Sequence, residues 1–116
     1  MNQITCLYFS VPSGRFPVEE FILSLQLRSR LKFFSAKEKL EIFGRKLPMP
    51  HAKYLRNKIF ELRFPGSEGA IRVFYFFDGG RAILTNGFIK KTEKTPGSEI
   101  ELAIRRQEEY FRTKSE

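Results

Sequence analysis

Between Lys58 and Phe88 the hydrophobic pattern takes a period of two, and two turn signals cut that stretch into three pieces. In Lys58-Ile59-Phe60-Glu61-Leu62-Arg63-Phe64, the side chains of Phe60, Leu62 and Phe64 share one face and those of Ile59, Glu61 and Arg63 the other, because side chains alternate along a strand. Pro65-Gly66-Ser67-Glu68-Gly69 reads as a turn and Ala70 to Phe77 as a second strand. Asp78-Gly79-Gly80 is a tight hairpin signal, and Arg81 to Phe88 returns as a third strand. Three strands joined in this way form an antiparallel meander. Such a sheet must have at least one face covered, and the flanking segments are the material for it.

Those segments carry helical signals. After a short strand at Ile4–Phe9, closed by Pro12, Ser13 and Gly14, Pro17 opens a helix with Glu19 and Glu20 in its first turn. A second helical stretch runs from about Leu27 to Phe43, with Leu31, Phe34, Leu40 and Phe43 as its expected buried stripe and Gly44 just past its end. A break near Ser24–Gln26 makes these two helices; without it they are one. Pro48 and Pro50 end helical character. Near the other terminus Ser98-x-x-Glu101 reads as a capping box ahead of a helix whose stripe is Ile100, Ala103, Ile104 and Phe111. The expectation is one α+β domain over residues 1–116.

Composition narrows the class. The chain of 116 residues is 41% hydrophobic with 13 Phe, enough for one aromatic-rich core and too apolar for a disordered chain. A single Cys excludes an internal disulfide framework and a cysteine-rich zinc site. No apolar run approaches the roughly 18 residues needed to span a bilayer, and the N-terminus lacks a charged n-region with an apolar stretch behind it. A cytoplasmic protein with no membrane partner is expected. The formal charge of +8 is unevenly placed: residues 45–94 hold eleven basic and four acidic residues, a net +7, against +1 for the rest. A basic middle suggests a polyanion, and a solvated, solubilising face is the competing reading.

Chemistry has few places to sit. The chain has no Walker loop and no GxGxxG, and Cys6 lies among apolar neighbours as a structural thiol. His51, in a proline-flanked loop, is a candidate acid or base. The informative residues are arginines inside strands. Arg72 shares a face with Phe74 and Phe76, and Arg63 lies on the Glu61 face of the preceding strand. A guanidinium there must pair with a carboxylate or face an open concavity. For Arg63 a structural pair with Glu61 or with an acid on a helix is the competing reading. Lys90 and Lys91 follow the last strand at one end of the sheet. Arginine forks and mobile lysines together suit a phosphodiester. RNA carries its own nucleophile in the 2′-hydroxyl, so a protein can cleave it without a metal by aligning that group and stabilising the charge on phosphorus.

The order of these pieces resembles a known family. His51-Ala52-Lys53-Tyr54-Leu55, Phe60-Glu61-Leu62-Arg63 and Arg72-Val73-Phe74-Tyr75-Phe76 are followed by Asn86-Gly87-Phe88-Ile89-Lys90-Lys91-Thr92-Glu93-Lys94-Thr95-Pro96 and Glu99-Ile100-Glu101-x-Ala103-x-x-Arg106. Over roughly residues 17–112 the series is similar to the HigB-like branch of the RelE/ParE toxin superfamily, phage-derived members included. The resemblance implies a RelE-like α+β fold: an antiparallel sheet, mixed at the N-terminal strand, on two N-terminal helices, with a C-terminal helix. It implies the toxin of a type II toxin–antitoxin pair, an endoribonuclease that cleaves mRNA on the ribosome with no cofactor or metal. The implied partners are a cognate helix-turn-helix (HigA-like) antitoxin and, only through it, operator DNA.

By position, Arg72 matches the arginine on the scissile phosphate, Arg63 the arginine of the "ELR" strand, and Lys90 and Lys91 the basic pair after the last strand. His51, Lys53, Arg56, Lys58 and Lys94 complete the implied RNA contacts. Glu61 stands where RelE has lysine, the C-terminal tyrosine of RelE has no counterpart, and Tyr110 is expected to serve packing. The acid and base are therefore unassigned. A ParE-like inhibitor of DNA gyrase and a non-toxic partner-binding module are the alternatives.

Overall fold

Two-residue turns set the register of the sheet. In the computed structural model, which describes residues 3–115, Gly79-Gly80 joins β4 (Gly69–Asp78) to β5 (Arg81–Lys90), with Asp78 paired to Arg81. Met1, Asn2 and Glu116, part of the domain read from the sequence, lie outside the described residues. Gly79 has φ +58, a conformation that glycine adopts without a Cβ penalty. Ser67-Glu68 joins β3 (Ile59–Gly66) to β4, with Gly66 opposite Gly69, so that Arg63 falls directly opposite Arg72. The turn is thus shorter than the sequence suggests, and Pro65, Gly66 and Gly69 belong to strands.

Two further strands complete the sheet, in the order β1-β5-β4-β3-β2. The N-terminal β1 (Thr5–Tyr8) runs parallel to β5. At the other edge β2 (Ala52–Arg56) pairs antiparallel with β3, and this strand was not expected. It is hidden because its turn, Asn57-Lys58, has no glycine, although both residues take positive φ (52° and 63°). Lys58 therefore belongs to a turn rather than to the start of the third strand, and its backbone N–H donates to the Tyr54 hydroxyl at 3.1 Å. All of this is the α+β architecture expected, and it is compatible with a RelE-like fold.

Helices α1 (Pro17–Leu23) and α2 (Leu27–Phe43) cover one face of the sheet, and α3 (Gly97–Ser115) covers part of the other. The break is real. The Ser24 hydroxyl takes the Phe21 carbonyl at 2.6 Å, Gln26 turns extended, and the Glu68 carboxylate accepts the Gln26 N–H at 2.7 Å. A residue forty-two positions away thus caps α2, consistent with the preference of helix N-termini for anions. Of the stripe expected on α2, only Leu40 is buried. Ser29, Phe33, Ala36 and Leu40 face the sheet, while Leu31, Phe34 and Phe43 are exposed. Two apolar patterns lie two residues apart, on opposite sides of the helix, and periodicity cannot choose between them. Packing of Ser29 under the β3–β4 turn chooses: its hydroxyl accepts the Ser67 N–H at 2.8 Å and donates to Glu68. The capping box is also absent, since α3 already begins at Gly97 and Glu101 instead pairs with Arg56 at 2.7 Å.

Candidate functional site

On the α3 side of the sheet, Ile59, Phe74, Phe76 and Ile83 pack with Ala103 of the helix. Toward the β3–β4 turn the same face carries charge instead. Register places Arg63 beside Arg72 and Arg72 beside Phe88, while the Arg63 N–H donates to the His51 carbonyl at 2.9 Å. His51, Arg63, Phe88 and Arg72 thus form one row across four chain segments. A cleft of about 490 Å³ opens here, lined by His51, Arg63, Arg72, Gly66, Gly69 and Ala70. A larger groove of about 610 Å³ lies at the far edge, between β1 and the end of α3, lined by residues such as Tyr8, Val11 and Tyr110. Among the described residues, its two cations, Arg81 and Lys114, share the lining with Glu109, whereas no carboxylate stands with Arg63 and Arg72 in the lining of the smaller cleft, so charge rather than size selects the smaller one.

The two arginines are held by one carboxylate. Glu61, only 1% exposed, lies 3.6 Å from Arg63 Nε and 3.8 Å from Arg72 Nε, and its Oε2 accepts the Thr95 hydroxyl at 3.1 Å. The structural pair weighed for Arg63 is present, and the same acid reaches Arg72 from the neighbouring strand. Arg72 is 8% exposed; its Nη1 donates to the Ile71 carbonyl at 3.0 Å. Its Nε is the one buried side-chain N or O without a hydrogen-bond partner among the described residues. Burial, and then the Arg63 charge beside it, push the Arg72 guanidinium below its ordinary pKa, with Glu61 opposing them. It stays cationic because arginine starts so high. Two guanidinium groups against one carboxylate leave a net positive cleft. That arrangement suits a phosphate.

A bulge decides which lysine joins them. Pairing shifts by one residue between Phe74 and Tyr75, opposite Thr85. Before the shift Ile83 lies on the α3 side; after it Asn86, Phe88 and Lys90 do, where uninterrupted alternation would put Ile89 there. Lys90 closes β5 opposite Ala70 of the cleft, so it belongs to the sheet rather than following it. The bulge is secured by polar contacts: Thr85 Oγ1 to Asn86 Oδ1 at 2.7 Å, Asn86 Nδ2 to Glu99 Oε1 at 3.0 Å, and Arg106 Nη1 to the Thr85 carbonyl at 2.7 Å.

The remaining expected site residues divide. Lys53 stands opposite Glu61 in register, and Lys91 and Lys94 are exposed on the connection that carries Thr95. Arg56 is committed to Glu101, and Lys58 sits at the opposite end of β3, about 16 Å from Arg63 at ~3.3 Å per residue. Neither reaches the cleft. Cys6 is half-buried, and desolvation, with Glu41 adding to it, pushes its thiol up to about 12. Tyr110 packs on Phe76 with ring centroids 5.3 Å apart and donates to Asp78 at 2.7 Å, as its packing role requires. Among the described residues, no cluster of three His, Cys, Asp or Glu side chains is placed to hold a metal ion, and no helix is long and apolar enough to cross a membrane. Sequence reasoning missed Thr95 and the reach of Glu61 to Arg72. The length of the β3–β4 turn is the signal that could have found the second.

Residues 20–108, which contain the whole cleft, match the family described as phage derived protein Gp49-like (DUF891). The chain belongs to that family. No curated protein matches it. Within this Gp49-like chain the matched region runs from α1 through most of α3, so the arginine row, Glu61 and the bulge all lie inside it.

Proposed function

We propose that this Gp49-like protein is the toxin of a type II toxin–antitoxin pair, acting as a ribosome-dependent mRNA endonuclease of the HigB/RelE kind. The observation that carries the reading is the buried Arg72 guanidinium beside Arg63, sharing one carboxylate, in a cleft that His51 also lines. A phosphodiester entering the cleft meets the two forks, with Lys90 on the same face of the sheet. The RNA 2′-hydroxyl gives up its proton and attacks phosphorus, the bond to the 5′-oxygen breaks, and that oxygen takes a proton. The products are a 2′,3′-cyclic phosphate and a 5′-hydroxyl, with no water or metal consumed. Guanidinium groups held in place stabilise the charge that grows on phosphorus. His51, which lines the cleft with the two arginines, supplies one of the two proton transfers. The ribosome orients the message.

Induced expression is expected to arrest growth, with primer extension showing cuts in translated messages. Arg72→Ala and His51→Ala should each relieve both, with circular dichroism establishing that the variants fold. Intact messages during a clear arrest would sink the nuclease, and an accompanying DNA-damage response would point to gyrase instead.

A further inference from the structure

The outer face of α2 is apolar and unpartnered. Leu27, Leu31, Phe34 and Ile42, at i, i+4, i+7 and i+15, are 48–63% exposed, and Leu23 at the end of α1 is exposed as well. From Leu27 to Ile42 the stripe is about 22 Å long at ~1.5 Å per residue, four turns of helix. Rows of this size on a folded surface mark interaction sites. Along one flank run Arg28, Lys32 and Lys39, all exposed, whereas the ion pair within α2, Lys37–Glu41, lies on the other flank. Glu38, at i+11, interrupts the stripe on its centre line between Phe34 and Ile42.

We propose that this face docks an amphipathic helix of a protein partner, one with an acidic flank against Arg28, Lys32 and Lys39 and a basic residue against Glu38. The proposal rests on the toxin reading in taking the partner to be the protein counterpart of the pair. Charge selects this occupant over others. In a two-fold pairing of α2 with an antiparallel copy, like flanks meet, so the basic rows would repel each other. In a parallel pairing the basic row meets Arg30, Lys37 and Glu41, again net positive. An anionic membrane would attract the flank but would have to accept Glu38 in the middle of the buried row. A protein helix can satisfy both. The face lies on the side of the sheet away from the arginine cleft, so the partner would bind without covering it.

The test uses the full chain and two synthetic helical peptides of about twenty residues. Both carry leucines at i, i+4, i+7 and i+11 and a lysine set against Glu38; one has a glutamate flank and the other a lysine flank. By fluorescence anisotropy the glutamate-flanked peptide should bind at least tenfold tighter. Leu31→Asp with Phe34→Asp should lower its affinity at least tenfold while the variant keeps a native circular dichroism spectrum and a cooperative melt, because both residues are at least half exposed. Reversing the flank (R28E, K32E, K39E) should invert the preference. No binding, or binding indifferent to the flank, overturns the proposal. So does a dimer in sedimentation that L31D/F34D abolishes, which gives the face to a second copy. Binding to phosphatidylserine vesicles that is lost in L31D/F34D gives it to a membrane. None of these readouts involves RNA, so failure here leaves the nuclease result standing on its own.

Discussion

Glu61→Gln separates the structural from the chemical role of the arginine cluster. The carboxylate is almost fully buried and stands 3.6 and 3.8 Å from two guanidinium groups that face each other across β3 and β4. Each pair is worth roughly 4 kcal/mol of gross attraction at that separation and an effective dielectric near 20, and desolvation of the ions offsets much of it. Removing one member of a buried pair costs about 3 kcal/mol, because the remaining charges are left unneutralised. Glutamine keeps an oxygen for the Thr95 hydroxyl, so the loss reports charge alone. With a urea dependence of about 2 kcal/mol per molar, typical of small domains, the unfolding midpoint should fall by ~1.5 M. Binding should move the other way. A phosphate about 6 Å from the lost carboxylate gains roughly 1.4 kcal/mol at an effective dielectric near 40, a tenfold tighter association. Urea titration followed by circular dichroism gives the first number, and calorimetry with a short RNA dinucleotide the second. A midpoint unchanged within about 0.3 M, or weaker RNA binding in the folded variant, would refute the assignment of Glu61 as the neutralising partner.

Other perturbations follow from the same contacts. A Cβ at Gly87 would stand 2.6 Å from the Phe21 ring and 3.3 Å from Val73; Gly87→Ala should therefore cost about 1–3 kcal/mol by overpacking, and adding Phe21→Leu should recover part of it in a thermal melt. Glu68 is held below the usual carboxylate range first by the Ser29 hydroxyl and then by the Gln26 N–H, and Asp78 is held low by Lys114 and then Tyr110. A depressed carboxylate stabilises the fold fully above its unfolded pKa and loses that contribution as pH falls through the folded value. Stability should accordingly decline below about pH 4.5, and Glu68→Gln with Asp78→Asn should flatten that decline in urea midpoints taken from pH 6 to pH 3. Burial keeps Cys6 protonated, so a thiol reagent at pH 8 should label the native chain at least a hundredfold more slowly than the urea-unfolded one. Arg106→Leu removes the hold on the Thr85 carbonyl, so RNA binding should fall with little change in the arginine pair, and unchanged affinity would refute the role given to Arg106 in fixing the bulge.

Much of the site is visible in the pattern of residues, and the reasons for the rest are physical. Alternation alone puts Glu61 and Arg63 on one face of a strand and Arg72 on the face of Phe74, and the structure agrees. Counting outward from the Ser67-Glu68 turn makes Arg63 and Arg72 neighbours and brings Glu61 within reach of both. By contrast, the choice between two apolar rows on α2 depends on what lies beneath the helix, and the row expected inside is largely the one exposed. β2 escaped because its turn uses asparagine and lysine where glycine is the usual signal.

The sequence by itself determined the meander, its order relative to the helices, and the concentration of positive charge in residues 45–94. Strand period, turn residues and charge are properties of neighbouring residues, so they can be read along the chain. Tertiary structure alone decided that Lys90 lies on the same face of the sheet as the arginines. One extra residue at Thr85 exchanges the two faces of β5 beyond it, and that residue is fixed by the pairing of β4 and by Arg106 of α3, twenty-one positions away. A local pattern carries no record of a contact at that distance.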